Sequence, residues 1–225
     1  MVAGTWSSAL AAAGQDFGGA DGSIALAGEV TRAENHGLEG IVSKAIAVQK
    51  TFGVGMADLI QFAAVHAVVT CPLGPRVRFF AGRKDSSTPA PDGLLPGVND
   101  SADKLVALFQ DKTISPHQLA ALLGAHTTSE QFFVNTTVAG QAQDSTPGVW
   151  DTKFYNETLQ ATAPNKVFRF NSDVVLSQDS RLNDEWVSFA AGGSQSHWNE
   201  DYATAYTRLS LLGVNQINNM TECSK

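Results

Sequence analysis

The sequence predicts a mainly α-helical domain interrupted by two long loops. Three observations carry that expectation. Apolar residues recur at three- and four-residue spacing over Leu38–Thr51, the stretch Met56–Val69 is almost wholly apolar, and strand-like runs are few and short. With 225 residues and 43% hydrophobic content, the chain can bury one sizeable core.

The elements follow in order. Leu38, Ile41, Val42 and Ala45 share one face of the first helix. Leu59, Ile60, Phe62, Ala63 and Val68 fill the second, the pattern of a buried helix, and His66 within it reads as a hydrogen-bonded core residue. Residues Phe80–Pro96 carry Pro89, Pro91 and Pro96 and a Pro91-Asp92-Gly93 turn, which makes a loop. Ser115-Pro116-His117-Gln118 joins an N-cap serine, a first-turn proline and a glutamine three residues on, and so starts a helix over Leu119–His126. Thr127–Gly148 is the second long loop, rich in Thr, Asn and Gly; loops of this length in a compact domain are functional or stapled by a ligand. Further helices are expected over Asp179–Ala190 and Asn199–Leu212, with short strands at Val77–Phe80 and Val167–Phe170.

The formal net charge is -7 and no Lys/Arg cluster occurs, which argues against nucleic acid or an anionic membrane as partner. No apolar run is long enough to span a bilayer, and no charged-then-apolar leader is present. Cys71 and Cys223 cannot make a disulfide framework. Asn99, Asn135, Asn156 and Asn219 each head an Asn-x-Ser/Thr triplet. Such triplets also arise by chance in ordinary polar loops, but together they agree with a secreted parent.

Of the five histidines, His36, His66, His117, His126 and His197, only His126 follows two small residues at the end of an apolar helix. Gly124 and Ala125 would let a flat ligand approach closely, so His126 is the metal-ligand candidate. His117 and His197 lie at helix starts, where exposure is the default.

Leu123-Gly124-Ala125-His126-Thr127 with Asp144-Ser145-Thr146-Pro147 resembles the proximal half of the secreted fungal class II heme peroxidases, the lignin, manganese and versatile enzymes. Gly19-Ala20-Asp21-Gly22-Ser23-Ile24, Ala57-Asp58-Leu59-Ile60-Gln61-Phe62-Ala63, Cys71-Pro72, Phe80-Ala81-Gly82-Arg83, Pro91-Asp92-Gly93-Leu94 and Gln178-Asp179-Ser180-Arg181 extend the match from about Phe17 to Ser224. The resemblance implies a peroxidase-like helical fold lacking its N-terminal helices, with long calcium-stapled loops. It implies one domain over residues 1–225, in which 1–111 is the remnant of the distal half and 112–225 is the proximal half.

By the resemblance, His126 would be the axial ligand of heme b, and Asp173 the buried carboxylate that accepts its N–H and makes the imidazole more electron-donating. Thr127, Asp144, Thr146, the Val149 carbonyl and Asp151 would hold a proximal calcium, a donor set suited to a hard cation. Gly19, Asp21 and Ser23 would be a partial distal calcium site. Glu29 and Asn35 would steer the family's distal histidine.

Departures from the pattern shape the functional expectation. The family's distal Arg and Phe-His-Asp triplet, which supply acid–base and electrostatic help with peroxide, would fall ahead of Met1, so the expectation is that both are missing. The manganese-binding carboxylates of the upstream helix would fall there too, and the third aligns with Phe132. The electron-relay tryptophan aligns with Ala121 and the aromatic residue flanking the proximal His with Gln143. The partner of Cys71 would lie upstream and that of Cys223 aligns with Asp184, so the two thiols are free or pair with each other. His36, beside Asn35, is either a stand-in for the missing base or an exposed loop residue. The resemblance therefore implies a hydrogen-peroxide-dependent oxidoreductase with reduced or atypical activity on small phenols and dyes. Its alternatives are a non-catalytic secreted heme and calcium binder, or another activity on a remodelled scaffold. Loss of the distal helices would also bare the apolar face of the Leu59–Val69 helix, which predicts a homodimer or a rearranged N-terminus over it.

Overall fold

The structure, a computed structural model, describes residues 19–214 and 217–224. It divides the chain into two compact units, one of Met1–Ala67, Val77–Leu95 and Thr207–Lys225, the other of Val68–Arg76 and Pro96–Tyr206. Among the described residues the fold is mainly helical, as expected, with only two two-stranded sheets.

In the first unit a short helix α1 (Ser23–Leu26) and two 3₁₀ turns (Glu29–Thr31, Ala33–Asn35) lead into α2 (Glu39–Phe52) and α3 (Met56–Thr70). Gly53 closes α2 in the left-handed region, where its N–H returns to Gln49 O. The start of α3 is capped from a distance: Asp85 accepts from Met56 N and Ala57 N, both at 2.8 Å, and satisfies two orphan donors of the first turn. Gly22 lies against that cap, with φ of 76° and room for no side chain, because a Cβ would stand 2.9 Å from Ala57 N. Strand β1 (Phe80–Ala81) pairs antiparallel with the C-terminal β4 (Thr221–Glu222). Arg83, nearly fully buried, donates to Asp58 at 3.1 Å and to the carbonyls of Phe80 and Ser210, so one guanidinium ties three segments of this unit.

Two expectations for α3 fail. Only part of the helix is buried: Phe62 is 50% exposed, and His66 is exposed on the same side, stacked on Phe62 with ring centroids 5.8 Å apart. The cause is an apolar cleft of about 430 Å³ lined by Leu38, Ile41, Leu59, Phe62, His66 and neighbours. A helix apolar on every side buries one face against its own unit and leaves the other lining that cleft.

The second unit contains α4 (Ala102–Asp111), α5 (Pro116–Leu123), α6 (Lys153–Leu159), α7 (Asn171–Gln178), α8 (Asn183–Ala190) and most of α9 (Gln195–Leu211). The predicted cap at Ser115 is a complete capping box, with Ser115 Oγ accepting from Gln118 N and Gln118 Oε1 from Ser115 N. Within the long loop, β2 (Glu130–Gln131) pairs antiparallel with β3 (Gln141–Ala142). The strand expected at Val167–Phe170 is reduced to a single bridge, Ala142 with Val167, and α4, α6 and α7 were not anticipated. The core of this unit is aromatic: Phe154, Tyr155, Trp186, Phe189 and Trp198 are all at most 1% exposed and meet edge-on or tilted.

Candidate functional site

The site begins where α5 ends. Tyr155 OH donates to Ala120 O at 2.8 Å and Trp198 Nε1 to Ala121 O at 2.9 Å, so core aromatics satisfy carbonyls that the helix leaves open. They come this close because residue 124 is glycine; a Cβ there would lie 2.5 Å from Trp198 Cε2 and closer still to the Tyr155 hydroxyl. The α-helix expected to reach His126 stops at Leu123 and tightens into a 3₁₀ turn over Gly124–Thr128, which carries His126 out of the helix axis.

His126 Nδ1 lies 3.0 Å from Asp173 Oδ2, on the first turn of α7. Asp173 is fully buried and the helix N-terminus favours its negative charge. Phe154 and Phe170 present their rings edge-on to the imidazole at 5.5 and 5.9 Å. Burial pushes the imidazole down, but the charge and hydrogen bond of Asp173 outweigh it and leave His126 above its ordinary value. Among the described residues Nε2 has no hydrogen-bond partner, and the side chain is 32% exposed, so one nitrogen is locked and the other is available.

Gln143, buried to 1%, completes this pair. Its Nε2 donates to the same Asp173 oxygen at 3.0 Å, while its Oε1 accepts from Ser129 Oγ. Ser129 Oγ also lies 2.8 Å from His126 O, a second acceptor for the same hydroxyl. Sequence reasoning placed an absent aromatic at this position and missed the amide as a hydrogen-bond partner; the flanking ring it lacked is supplied by Phe170. Asp173 Oδ1, by contrast, is buried with no hydrogen-bond partner among the described residues.

Five oxygen-bearing residues named from sequence come together beside His126. Thr127 Oγ1 donates to Asp144 Oδ2 and lies 3.4 Å from Val149 O; Thr146 Oγ1 donates to Asp151 Oδ2 at 2.9 Å. Thr146 N reaches Asp144 Oδ1 at 2.8 Å and Val149 N returns to Thr146 O at 2.9 Å, so the loop folds tightly around the two carboxylates. Asp144 is 1% exposed. Burial pushes its carboxyl up to about 6, the hydrogen bonds of Thr127 and Thr146 pull the other way, and the charges of Asp151 and Glu157 add to the rise. Glu157, unremarked in the sequence, accepts from Ser145 N at 2.9 Å and Ser145 Oγ at 2.5 Å and fixes the middle of the loop.

The remaining candidates lie in the first unit. Asp21 Oδ1 accepts from Ser23 N at 3.0 Å; burial raises the Asp21 carboxyl, and Ser23 Oγ is buried without a hydrogen-bond partner among the described residues. Gly19 stands two residues earlier with φ of 74°. Glu29 accepts from Ala90 N at 2.8 Å and approaches Arg32 at 3.5 Å, while Asn35 Nδ2 donates to Glu29 O at 2.9 Å. Asn35 Oδ1 is buried with no hydrogen-bond partner among the described residues. His36, the candidate stand-in, has its side chain 64% exposed and lies 3.4 Å from Glu39. Cys71 and Cys223 are both free thiols.

Known proteins share this arrangement of sequence. The family described as Peroxidase matches residues 2–192. A peroxidase of Arthromyces ramosus is 36% identical over 237 residues, covering 97% of this chain and 64% of that protein. Ligninase LG2 of Phanerodontia chrysosporium is 35% identical over 229 residues (92% and 60%), and manganese peroxidase 3 of Phlebia radiata 32% over 226 (92% and 62%). The chain therefore spans less than two thirds of the length of these relatives. On a match that takes in most of the sequence, the chain belongs to the peroxidase family, alongside its fungal class II members.

Proposed function

We propose that the chain binds heme b through His126 Nε2 and oxidises small phenolic or dye substrates with hydrogen peroxide, at reduced or atypical turnover. The observation that carries this reading is the asymmetry of His126: Nδ1 is fixed on a fully buried carboxylate while Nε2 has no hydrogen-bond partner among the described residues. A metal-ligating imidazole has that arrangement, because the carboxylate sets the tautomer and raises the basicity of the free nitrogen. When bound, the heme supplies iron-centred redox chemistry between hydrogen peroxide and an aromatic reductant.

The chain's own residues do the rest. Asp173 holds the Nδ1 proton, and Gln143 shares the same carboxylate oxygen, which moderates how much charge reaches the imidazole. Calcium fits the loop at Asp144 and Asp151: two carboxylates, two hydroxyls and the Val149 carbonyl are hard oxygen donors gathered in one loop. Asp21 and Ser23, with Gly19, offer a lesser second set. In the first unit, Asn35 Oδ1 is an acceptor free to take an imidazole N–H among the described residues, with its amide held through Glu29 O, and would orient a general base. In this reading residues 1–111 carry the distal side and 112–225 the proximal side.

A second reading is a heme and calcium binder without efficient turnover: His36, the histidine next to Asn35, turns to Glu39 and solvent and does not serve Asn35 as a base. The acidic balance and the exposed Asn99, Asn135, Asn156 and Asn219 support a secreted glycoprotein. Among the described residues no single helix is long and apolar enough to cross a membrane.

The test is an absorption titration of the full chain with hemin, beside His126→Ala. A Soret band that vanishes or shifts in the variant supports ligation by His126. An identical band in both, or none in either, overturns it. Peroxide-dependent dye oxidation by the loaded protein then separates turnover from binding alone.

A further inference from the structure

A second group of ligating side chains lies on three other elements of the second unit. His117 sits in the first turn of α5, Glu185 in the first turn of α8, and His197 and Asp201 one helical turn apart on α9. His117 Nδ1 is 3.0 Å from Glu185 Oε2, and His117 Nε2 is 3.4 Å from Asp201 Oδ2. His197 Nε2 is 3.0 Å from Asp201 Oδ2 and 3.4 Å from Glu185 Oε1. Donor atoms of His117, Glu185 and Asp201 all lie within 4.8 Å of one another.

These groups approach without hydrogen-bonding. Glu185 Oε1 and Asp201 Oδ2 are buried, and neither has a hydrogen-bond partner although imidazole nitrogens stand beside both. Two orphaned carboxylate oxygens thus lie beside two imidazoles, and none of the four approaches forms a hydrogen bond. The His117, Glu185 and Asp201 donors, within 4.8 Å of one another, need only a small contraction to the roughly 3.3–3.5 Å separation that a tetrahedral ion imposes on its donors. The outer nitrogen of His197, Nδ1, lies 3.4 Å from Ser188 Oγ, so the nitrogen facing the carboxylates is Nε2. The ring of Phe189 backs both imidazoles, at 6.5 Å from His117 and 5.1 Å from His197. The imidazoles are about half exposed, which leaves an entry path from solvent.

We infer that His117, Glu185 and Asp201, with His197 beside both carboxylates, form a binding site for a borderline-soft divalent metal of the zinc class, joining the first turns of α5 and α8 to α9. Two imidazoles distinguish it from the all-oxygen set around Asp144, which suits calcium. The ion is structural: it bonds side chains of three helices and neutralises the adjacent Glu185 and Asp201 carboxylates.

The experiment is a cobalt titration of the full chain in excess calcium, followed by displacement with zinc. Visible d–d bands of a four-coordinate ion are expected, lost on adding zinc, with a rise in melting temperature for the zinc form. His197→Gln and Asp201→Asn, which keep side-chain size, should each weaken affinity by about 10- to 100-fold. His126→Ala should leave the bands unchanged, separating this site from the candidate heme ligand. Far-UV circular dichroism identifies any variant that fails to fold, and Asp201→Asn, the closest in shape, then decides. Absence of bands, or bands and affinity equal in the parent and in both site variants, overturns the assignment and leaves an ion-pair cluster.

Discussion

Gly124→Ala tests whether the turn that presents His126 depends on close packing. The added methyl would stand 2.5 Å from two carbons of the Trp198 ring and closer to the Tyr155 hydroxyl. Neither ring can yield, because both are fully buried against Trp186, Phe189 and Trp150. Overpacking costs about 1–3 kcal/mol, and displacing the rings also gives up two hydrogen bonds to Ala120 O and Ala121 O, each about 1 kcal/mol net. A total of about 3–5 kcal/mol corresponds to a melting-temperature drop on the order of 10 °C for a chain of this size. Near-UV circular dichroism follows it, since the affected rings are its chromophores. Gly192→Ala is the control, because a Cβ there meets nothing within 4 Å. A Gly124→Ala protein melting within about 2 °C of the parent would refute the packing argument, since a shift that small is under about 1 kcal/mol.

If the loop holds calcium as proposed, calcium and pH are linked through Asp144. Its carboxyl rises from 3.8 to about 6 in the metal-free fold, so its stabilising contribution is present below the lower value and lost as pH climbs through the upper. Chelator-treated protein should therefore lose stability between pH 4 and 7 at this site, and calcium should raise the melting temperature more at pH 8 than at pH 5; an equal rise at both sinks the assignment. Gln143→Leu removes one of two donors from Asp173, which should strengthen its pull on His126 and lower the midpoint potential of bound heme, read by spectroelectrochemistry; an unchanged or higher value argues against the amide's role. Asp58→Ala strands the buried Arg83 charge and should cost about 3–5 kcal/mol in denaturant unfolding, whereas a loss under about 1 kcal/mol would mean Arg83 is satisfied without it.

What could be read in the sequence was what lies close along the chain. The capping box at Ser115 occupies four adjacent residues, and the Thr127–Asp151 oxygens occupy one loop, so both were legible. The pairing of His126 with Asp173, 47 residues apart, came only through family resemblance. Nothing local announces that Asp85 caps α3 from 28 residues downstream, or that Gln143 points at a carboxylate instead of solvent. The helices α6 and α7 escaped notice because they are short and mix aromatic, β-branched and polar residues, so tertiary packing decides them. His66 was misjudged for the converse reason: an apolar neighbourhood along the helix does not reveal which face stays open.

The aromatic core that closes α5 has an optical consequence. Trp186 packs on Phe154, and Phe154 packs on His126, so an indole lies one ring away from the candidate ligand imidazole; Tyr155 joins Trp186 to Trp198, which stacks on Trp150. A coloured group bound there would drain their excited states, so tryptophan emission should dim with occupancy and brighten when the group leaves. The protein thus carries its own gauge of loading, readable in dilute solution without a label.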